Sequence, residues 1–172
     1  MGHLPCYALT NPVFPRKLQL LHGAAWASLT RIYGMDMQIA ILCDAATDNS
    51  GKLNILGTFD TIYTTQLPAI HPQCSIALRM AFSKAEEGAH KVRMTFVDED
   101  GKPVMPNIDM AVEVKVPDDT IFVSRNFIVN IHQLKFERPG LYSVDISMDG
   151  RQVGSISLLV KQMPAKEEQP QF

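Results

Sequence analysis

The sequence predicts an all-β protein. It is an antiparallel β-sandwich, immunoglobulin-like or jelly-roll-like, of eight to nine strands, behind an N-terminal extension outside the core. Three observations carry this. Apolar and polar residues alternate with a period of two in segment after segment between Met37 and Lys161. Clusters of Asp, Asn, Gly and Pro separate those segments. No stretch after Met35 carries a sustained helical stripe, and Ser83 to Gly88 has room for one short turn.

The elements follow in order. Gln38 to Cys43 is almost wholly apolar, and Ile39 and Ile41 are expected to point inward. The turn Asp48-Asn49-Ser50-Gly51 leads to Lys52–Phe59, with Leu53, Ile55 and Phe59 on one side. Cys74, Ile76, Leu78, Met80 and Phe82 then oppose Ser75, Ala77, Arg79 and Ala81. Val92, Met94 and Phe96 oppose Lys91, Arg93 and Thr95. The turn Asp98 to Gly101 closes a hairpin onto a strand in which Ile108, Met110, Val112, Val114 and Val116 share a face. Pro117-Asp118-Asp119 breaks it, and Ile121 to Ile131 alternates through Val123, Phe127, Val129 and Ile131, with Arg125 interrupting. Arg138-Pro139-Gly140 precedes Tyr142, Val144, Ile146 and Met148. Asp149-Gly150 is the strongest hairpin signal, because Asp and Gly tolerate the positive φ of a type I′ turn. Ile156, Leu158 and Val160 close the series. These alternating residues are the expected core, the two inner faces of the sheets pressed together.

Length and charge bound the rest. The chain has 172 residues, 46% hydrophobic, with a formal net charge of −2. One domain of this size buries a sufficient core without disulfides or metal. The charge balance argues against a nucleic-acid binder, and without an apolar run of membrane-spanning length no membrane span is expected. The charges are uneven: residues 1 to 35 hold Arg16, Lys17 and Arg31 and no acid, whereas Met35 to Met163 holds 16 acids and 12 bases. The domain is therefore expected over 37–162. Residues 1–36 are an extension, poorly ordered or loosely helical, with three readings: a secretory signal ending near Ala27, an extra helix from about Arg16 to Ile32, or a stretch upstream of a natural start at Met35 or Met37. The favoured reading is the last. Residues 163–172, polar with two prolines, are expected to be a disordered tail.

Few residues suggest chemistry. Cys6, Cys43 and Cys74 are an odd set without metal-ligand spacing, and read as small hydrophobes of a reducing cytoplasm. The five histidines are scattered. Asn126, Asn130 and His132 fall in one register at i, i+4 and i+6, a polar stripe that is either a solvated face or a binding surface. Asp44 and Asp60 each follow an apolar strand end and are the candidate catalytic acids. Asp48, Asp98, Glu99, Asp100, Asp118 and Asp119 cluster at turns, where they could bind calcium or simply form the turns. In an up-and-down order consecutive turns lie at opposite ends, which disfavours a shared calcium site. No nucleophile elbow, phosphate loop, dinucleotide fingerprint or zinc-protease motif occurs. Neither a cofactor nor a bound metal is expected.

The run Ile39-Ala40-Ile41-Leu42-Cys43-Asp44-Ala45-Ala46, followed by Gly51-Lys52-Leu53-Asn54-Ile55-Leu56-Gly57-Thr58-Phe59-Asp60, resembles a family of small bacterial domains of unknown function. The Asp98 to Gly101 turn and Pro139-Gly140-Leu141-Tyr142 fit the same family, and the resemblance spans about residues 37 to 162. It implies the fold and no activity.

The expectation is a non-catalytic, cytoplasmic protein-binding or assembly module. It would use an exposed sheet edge to pair with another protein or with its own copy. The alternative is a small-ligand or carbohydrate-binding sandwich, with calcium dependence as a variant. An enzyme would need Asp44, Asp60 and His132 to converge in one pocket.

Overall fold

The computed structural model describes residues 35–164. The expectations for the leader and for residues 165–172 lie outside the described residues. Nine strands run in sequence: β1 (Asp36–Asn49), β2 (Lys52–Phe59), β3 (Thr61–Thr64), β4 (Ala69–Ser83), β5 (Gly88–Asp98), β6 (Ile108–Val114), β7 (Phe122–Phe136), β8 (Gly140–Met148) and β9 (Arg151–Gln162). The short turn foreseen after Ser83 is a 3-10 turn over Lys84–Glu86.

The strands form two sheets, ordered β2-β1-β4-β7 and β3-β9-β8-β5-β6. Every neighbouring pair is antiparallel except β3, which runs parallel to β9. The order is not up-and-down, because the chain crosses between sheets at β2–β3, β3–β4, β4–β5, β6–β7 and β7–β8. The pair β4-β7 opposes β9-β8-β5 as strands B and E oppose G, F and C in immunoglobulin domains, which decides between the two expected sandwich types. A second immunoglobulin feature is a tyrosine corner. The Tyr142 hydroxyl donates to the Arg138 carbonyl oxygen at 2.7 Å, pinning the entry of β8 to the loop before it. Its ring meets Phe136 edge-on at a centroid distance of 5.0 Å, and Phe96 at 6.5 Å.

The core is the alternating set, with three corrections. Ile76, Leu78, Met80, Phe82, Val92, Met94, Phe96, Val144, Ile146 and Leu158 are buried as expected. On β1, however, Met37, Ala40 and Leu42 face the core, while Ile39 and Ile41 are half-buried outside it. The register of β1 on β4 shifts between Met37 and Ile39, and this bulge reverses the parity of a strand that is apolar on both faces. Leu53 and Ile55 are only half-buried, because β2 is an edge strand beyond the region covered by the other sheet. Ile108, Met110 and Val112 pack against the core from the edge strand β6 without being enclosed.

The hairpin after Asp98 also differs. Gly101 donates to the Asp98 carbonyl at 2.9 Å and pairing starts at once, with the Asp98 amide on the Lys102 carbonyl at 3.0 Å and the Val104 amide on the Phe96 carbonyl at 2.9 Å, but it breaks after Val104 and resumes at Ile108, opposite Met94. Finally, β7 changes face partway. Phe127 and Ile131 are buried at odd positions, Leu134 and Phe136 at even ones. The switch falls at Gln133, whose φ is +53°, across from Pro72 on β4. The β4–β7 register runs unbroken from Ala69↔Phe136 to Ser83↔Phe122, so both strands turn over together.

Candidate functional site

The sequence-predicted polar residues do not converge. Asn126 and Asn130 lie on the face of the first sheet that looks away from the second, and both are engaged within the domain. Arg79 Nη1 donates to Asn126 Oδ1 at 2.8 Å and to the Gly51 carbonyl at 2.8 Å, while its Nε donates to Gln38 Oε1 at 3.1 Å. Asn126 Nδ2 in turn donates to Asp48 Oδ2 at 2.6 Å. That bond, with the Gly51 amide on Asp48 Oδ1, holds the Asp48 carboxyl below its ordinary range. Asn130 accepts from the buried Ser75 hydroxyl at 2.7 Å. Two members of the stripe therefore tie the β7 edge to the β1–β2 turn and to β4. His132, opposite Gln73, is exposed and has no partner among the described residues.

Four of the turn acids, Asp48, Asp98, Asp100 and Asp118, are likewise occupied. Asp98 takes the amides of Asp100 and Lys102 and the Arg138 guanidinium, which also reaches Asp100. Arg138 and those amides depress the Asp98 carboxyl. Asp118 accepts from Lys84 Nζ at 3.0 Å. Among the described residues no group of three or more His, Cys, Asp or Glu side chains is placed to hold a metal ion. Asp60 serves locally: its carboxylate accepts from the Thr61 hydroxyl at 2.9 Å, and its carbonyl accepts from the Leu159 amide at 2.8 Å. Cys43 and Cys74 are buried free thiols. Burial, then Cys43 and Asp44, pushes the Cys74 thiol up to about 11, so it is a poor nucleophile near neutrality.

One cleft draws together residues that alternation could not connect. It lies where the chain leaves β2, crosses to β3 and returns at the head of β4. A cavity of about 420 Å³ is lined by Asp44, Gly57, Thr58, Phe59, Thr61, Ile62, Tyr63 and His71. Asp44 sits directly over Gly57, whose φ of +64° and missing Cβ leave space for the carboxylate; a Cβ built there would lie 2.7 Å from Asp44 Cγ. The Phe59 and His71 rings are 5.4 Å apart. His71 Nε2 is the one buried side-chain nitrogen or oxygen without a hydrogen-bond partner among the described residues. A second cavity of about 490 Å³, under Tyr63, Ile70 and Pro72, shares Ile62, Tyr63 and His71 with the first. Asp60 lines a different, smaller hollow with Ile41 and Ile156, and His132 lines neither cavity. His71 and Tyr63 were not legible as site residues: Tyr63 comes near Asp44 through the β2–β3 crossover, and His71 through the head of β4, beyond the last β1–β4 pair at Cys43 and Ser75. The pairing of Asp44 with Gly57, thirteen positions apart, was within reach of a hairpin register running back from the Asp48 to Gly51 turn.

The second element with functional geometry is β7. Its fifteen residues pair with β4 along their whole length, and among the described residues no strand pairs with its other side. The other edge strands, β2, β3 and β6, span eight, four and seven residues. Between Asp119 and Glu137 the chain carries Arg125, His132 and Lys135 and no acid.

Residues 38–161 match the model of a family of unknown function, DUF6941. Comparison with curated proteins finds no match. Among solved structures, the chain is similar to the alkylpurine DNA glycosylase AlkC of Pseudomonas fluorescens at 9% identity and a TM-score of 0.43, covering 75% of this chain and 31% of that one. It is also similar to a glycosyl hydrolase family 2 member from Bacteroides cellulosilyticus (10%, TM-score 0.41, 74% and 14% covered). A β-D-glucoside glucohydrolase from Trichoderma reesei gives 11%, a TM-score of 0.40, and 75% and 19% covered. The chain thus spans less than a third of each of those proteins.

Proposed function

The chain belongs to the DUF6941 family, and we propose that its domain is a non-catalytic, protein-binding module that takes an extended segment of a partner onto β7. The observation that carries this is the length of the unpaired edge: β7 offers a row of backbone N–H and C=O groups over fifteen residues. Natural edges of that length are shortened, bulged, covered or used. The β4–β7 register has no bulge, and Ile121 and Phe122 stand 81% and 56% exposed at its head. Strand addition gives affinity through main-chain bonds and specificity through alternate side chains.

The partner segment is acidic. Arg125, His132 and Lys135 stand on β7 without an intervening carboxylate, in a domain that is otherwise net acidic. Self-pairing of two such strands would bring like charge together, so a second protein is favoured over a homodimer. The free, buried Cys43 and Cys74 support a reducing, cytoplasmic setting.

The test is an NMR titration with two ten-residue peptides that alternate Val with Thr, one carrying Glu and the other Lys at the remaining positions. The Glu peptide is expected to shift β7 amides and protect them from exchange, with affinity that falls as salt rises. Shifts confined to other strands, or equal binding of both peptides, would overturn the proposal. Light scattering that shows a dimer through β7 would replace the partner by a second copy.

A further inference from the structure

We propose that the cleft under Asp44 and His71 binds a primary ammonium group. The cleft stands on observations separate from the unpaired side of β7: Asp44 and Gly57 lie on β1 and β2, and His71 on the β4 strand that pairs the other side of β7.

His71 Nε2 is enclosed and unpartnered among the described residues, and a buried polar atom left so destabilises the fold unless a ligand or water satisfies it. Asp44 faces the same cavity with no ion-pair or hydrogen-bond partner among the described residues. Gly57, across the β1–β2 pair, has no Cβ to fill the space beneath the carboxylate, so the Asp44 side chain lies over it at the rim of the cavity. An alkylammonium brings three N–H donors and a positive charge. One donor is for the Asp44 carboxylate and, once the ring turns its enclosed Nε2 toward the cavity, one for the imidazole nitrogen in its acceptor tautomer; the hydroxyl of Thr58, Thr61 or Tyr63 takes the third. Phe59 and Tyr63 supply aromatic faces for the charge and for the carbons behind it. Among the described residues no Lys or Arg lines the cavity to compete with the ligand. The volume of about 420 Å³ suits a small molecule or one side chain.

The ammonium has two sources, a free diamine or polyamine and the side chain of a lysine in a protein. Cadaverine and N-acetyl-lysine methylamide represent them, with 1-pentanol and N-acetyl-norleucine methylamide as uncharged matches and methyl glucoside as a polyol. Each is titrated into the full chain while the His71 ring protons and the Gly57 amide are followed by NMR. The ammonium probes are expected to give saturable shifts at both positions, at least tenfold tighter than their uncharged matches. Asp44→Asn should lose at least tenfold in affinity with an unchanged melting temperature, because Asp44 is exposed and makes no bond within the domain. His71→Gln, which keeps an acceptor, should retain more affinity than His71→Leu. Equal response to the uncharged matches, tighter binding of the glucoside, or absence of any saturable shift would overturn the proposal. A response to one ammonium probe alone identifies the source.

Discussion

Replacing Tyr142 by Phe isolates one bond on which the immunoglobulin-like corner depends. Tyr142 is 4% exposed, and its hydroxyl donates to the Arg138 carbonyl at 2.7 Å. The substitution keeps the ring that packs on Phe136 and Phe96, so the packing terms stay fixed. What is lost is one hydrogen bond, worth about 0.5–1.5 kcal/mol net, and what is added is a share of the cost of leaving the Arg138 carbonyl unsatisfied, about 1–3 kcal/mol if fully buried. The carbonyl is only partly enclosed, so the expected destabilisation is about 1–2 kcal/mol, a drop of roughly 3–8 °C in Tm for a domain of this size. Urea melts should show a lower midpoint at constant m-value, since the same surface is exposed on unfolding. Tyr63→Phe is the internal control: its side chain is 62% exposed, and its hydroxyl should be worth less than about 0.5 kcal/mol. A Tyr142→Phe variant as stable as the control would refute the corner as an energetic element of the fold.

Other outcomes follow from the same structure. Leu42→Ala should cost about 2–5 kcal/mol because Leu42 is fully buried, whereas Ile41→Ala, half-buried on the opposite face, should cost about 1 kcal/mol; paired thermal melts check the reversed parity of β1. His90 is held between the Asp149 carboxylate at 2.7 Å and the Glu86 carbonyl at 2.8 Å, and the bond to Asp149, then that to Glu86, raises its pKa. Its contribution is full below the ordinary histidine value of about 6.5 and lost as pH rises through the raised one, so urea midpoints should fall over neutral to alkaline pH, and His90→Asn should flatten that slope. Asp149, held low by His90 and the Lys91 amide, acts in the opposite sense: its contribution is present above pH 3.8 and disappears as the solution is acidified below that, which Asp149→Asn should remove from an acid titration.

The sheets were legible in the sequence where one face of a strand is buried and the other is wet. Val92 to Phe96 shows it, with Lys91 and Arg93 exposed opposite; Ile76 to Phe82 also points inward as the alternation places it, although Ser75, Ala77 and Ala81 on its other face are buried as well. Legibility failed where the pattern is degenerate. In β1 both faces are apolar, so Ile39 and Ile41 gave no sign that a bulge hands the core to Ala40 and Leu42. In β7 a positive φ at Gln133 changes the parity, and no alternation extends across such a residue. The segment Thr61–Thr64 is four residues long, too short for any period to register, and its parallel pairing with β9 is a purely tertiary fact. That same segment closes the cleft. Asp44 reads as an acid at a strand end, but its companions come from three strands: Phe59 from its hairpin partner β2, His71 from the head of β4, and Tyr63 from β3 in the other sheet. Asn126, Asn130 and His132 lie on β7, and what periodicity could not convey is that Arg79, Asp48 and Ser75 consume two of the three.

Residue-resolved amide hydrogen exchange along β7 in the monomer tests the central claim most directly. An edge paired on one side alone should alternate from Phe122 to Phe136, with amides bonded to β4 exchanging slowly and those directed away exchanging at rates close to those of the exposed turns. Uniform protection of every amide on β7 would mean that the edge is already covered, and would contradict its role as the docking strand.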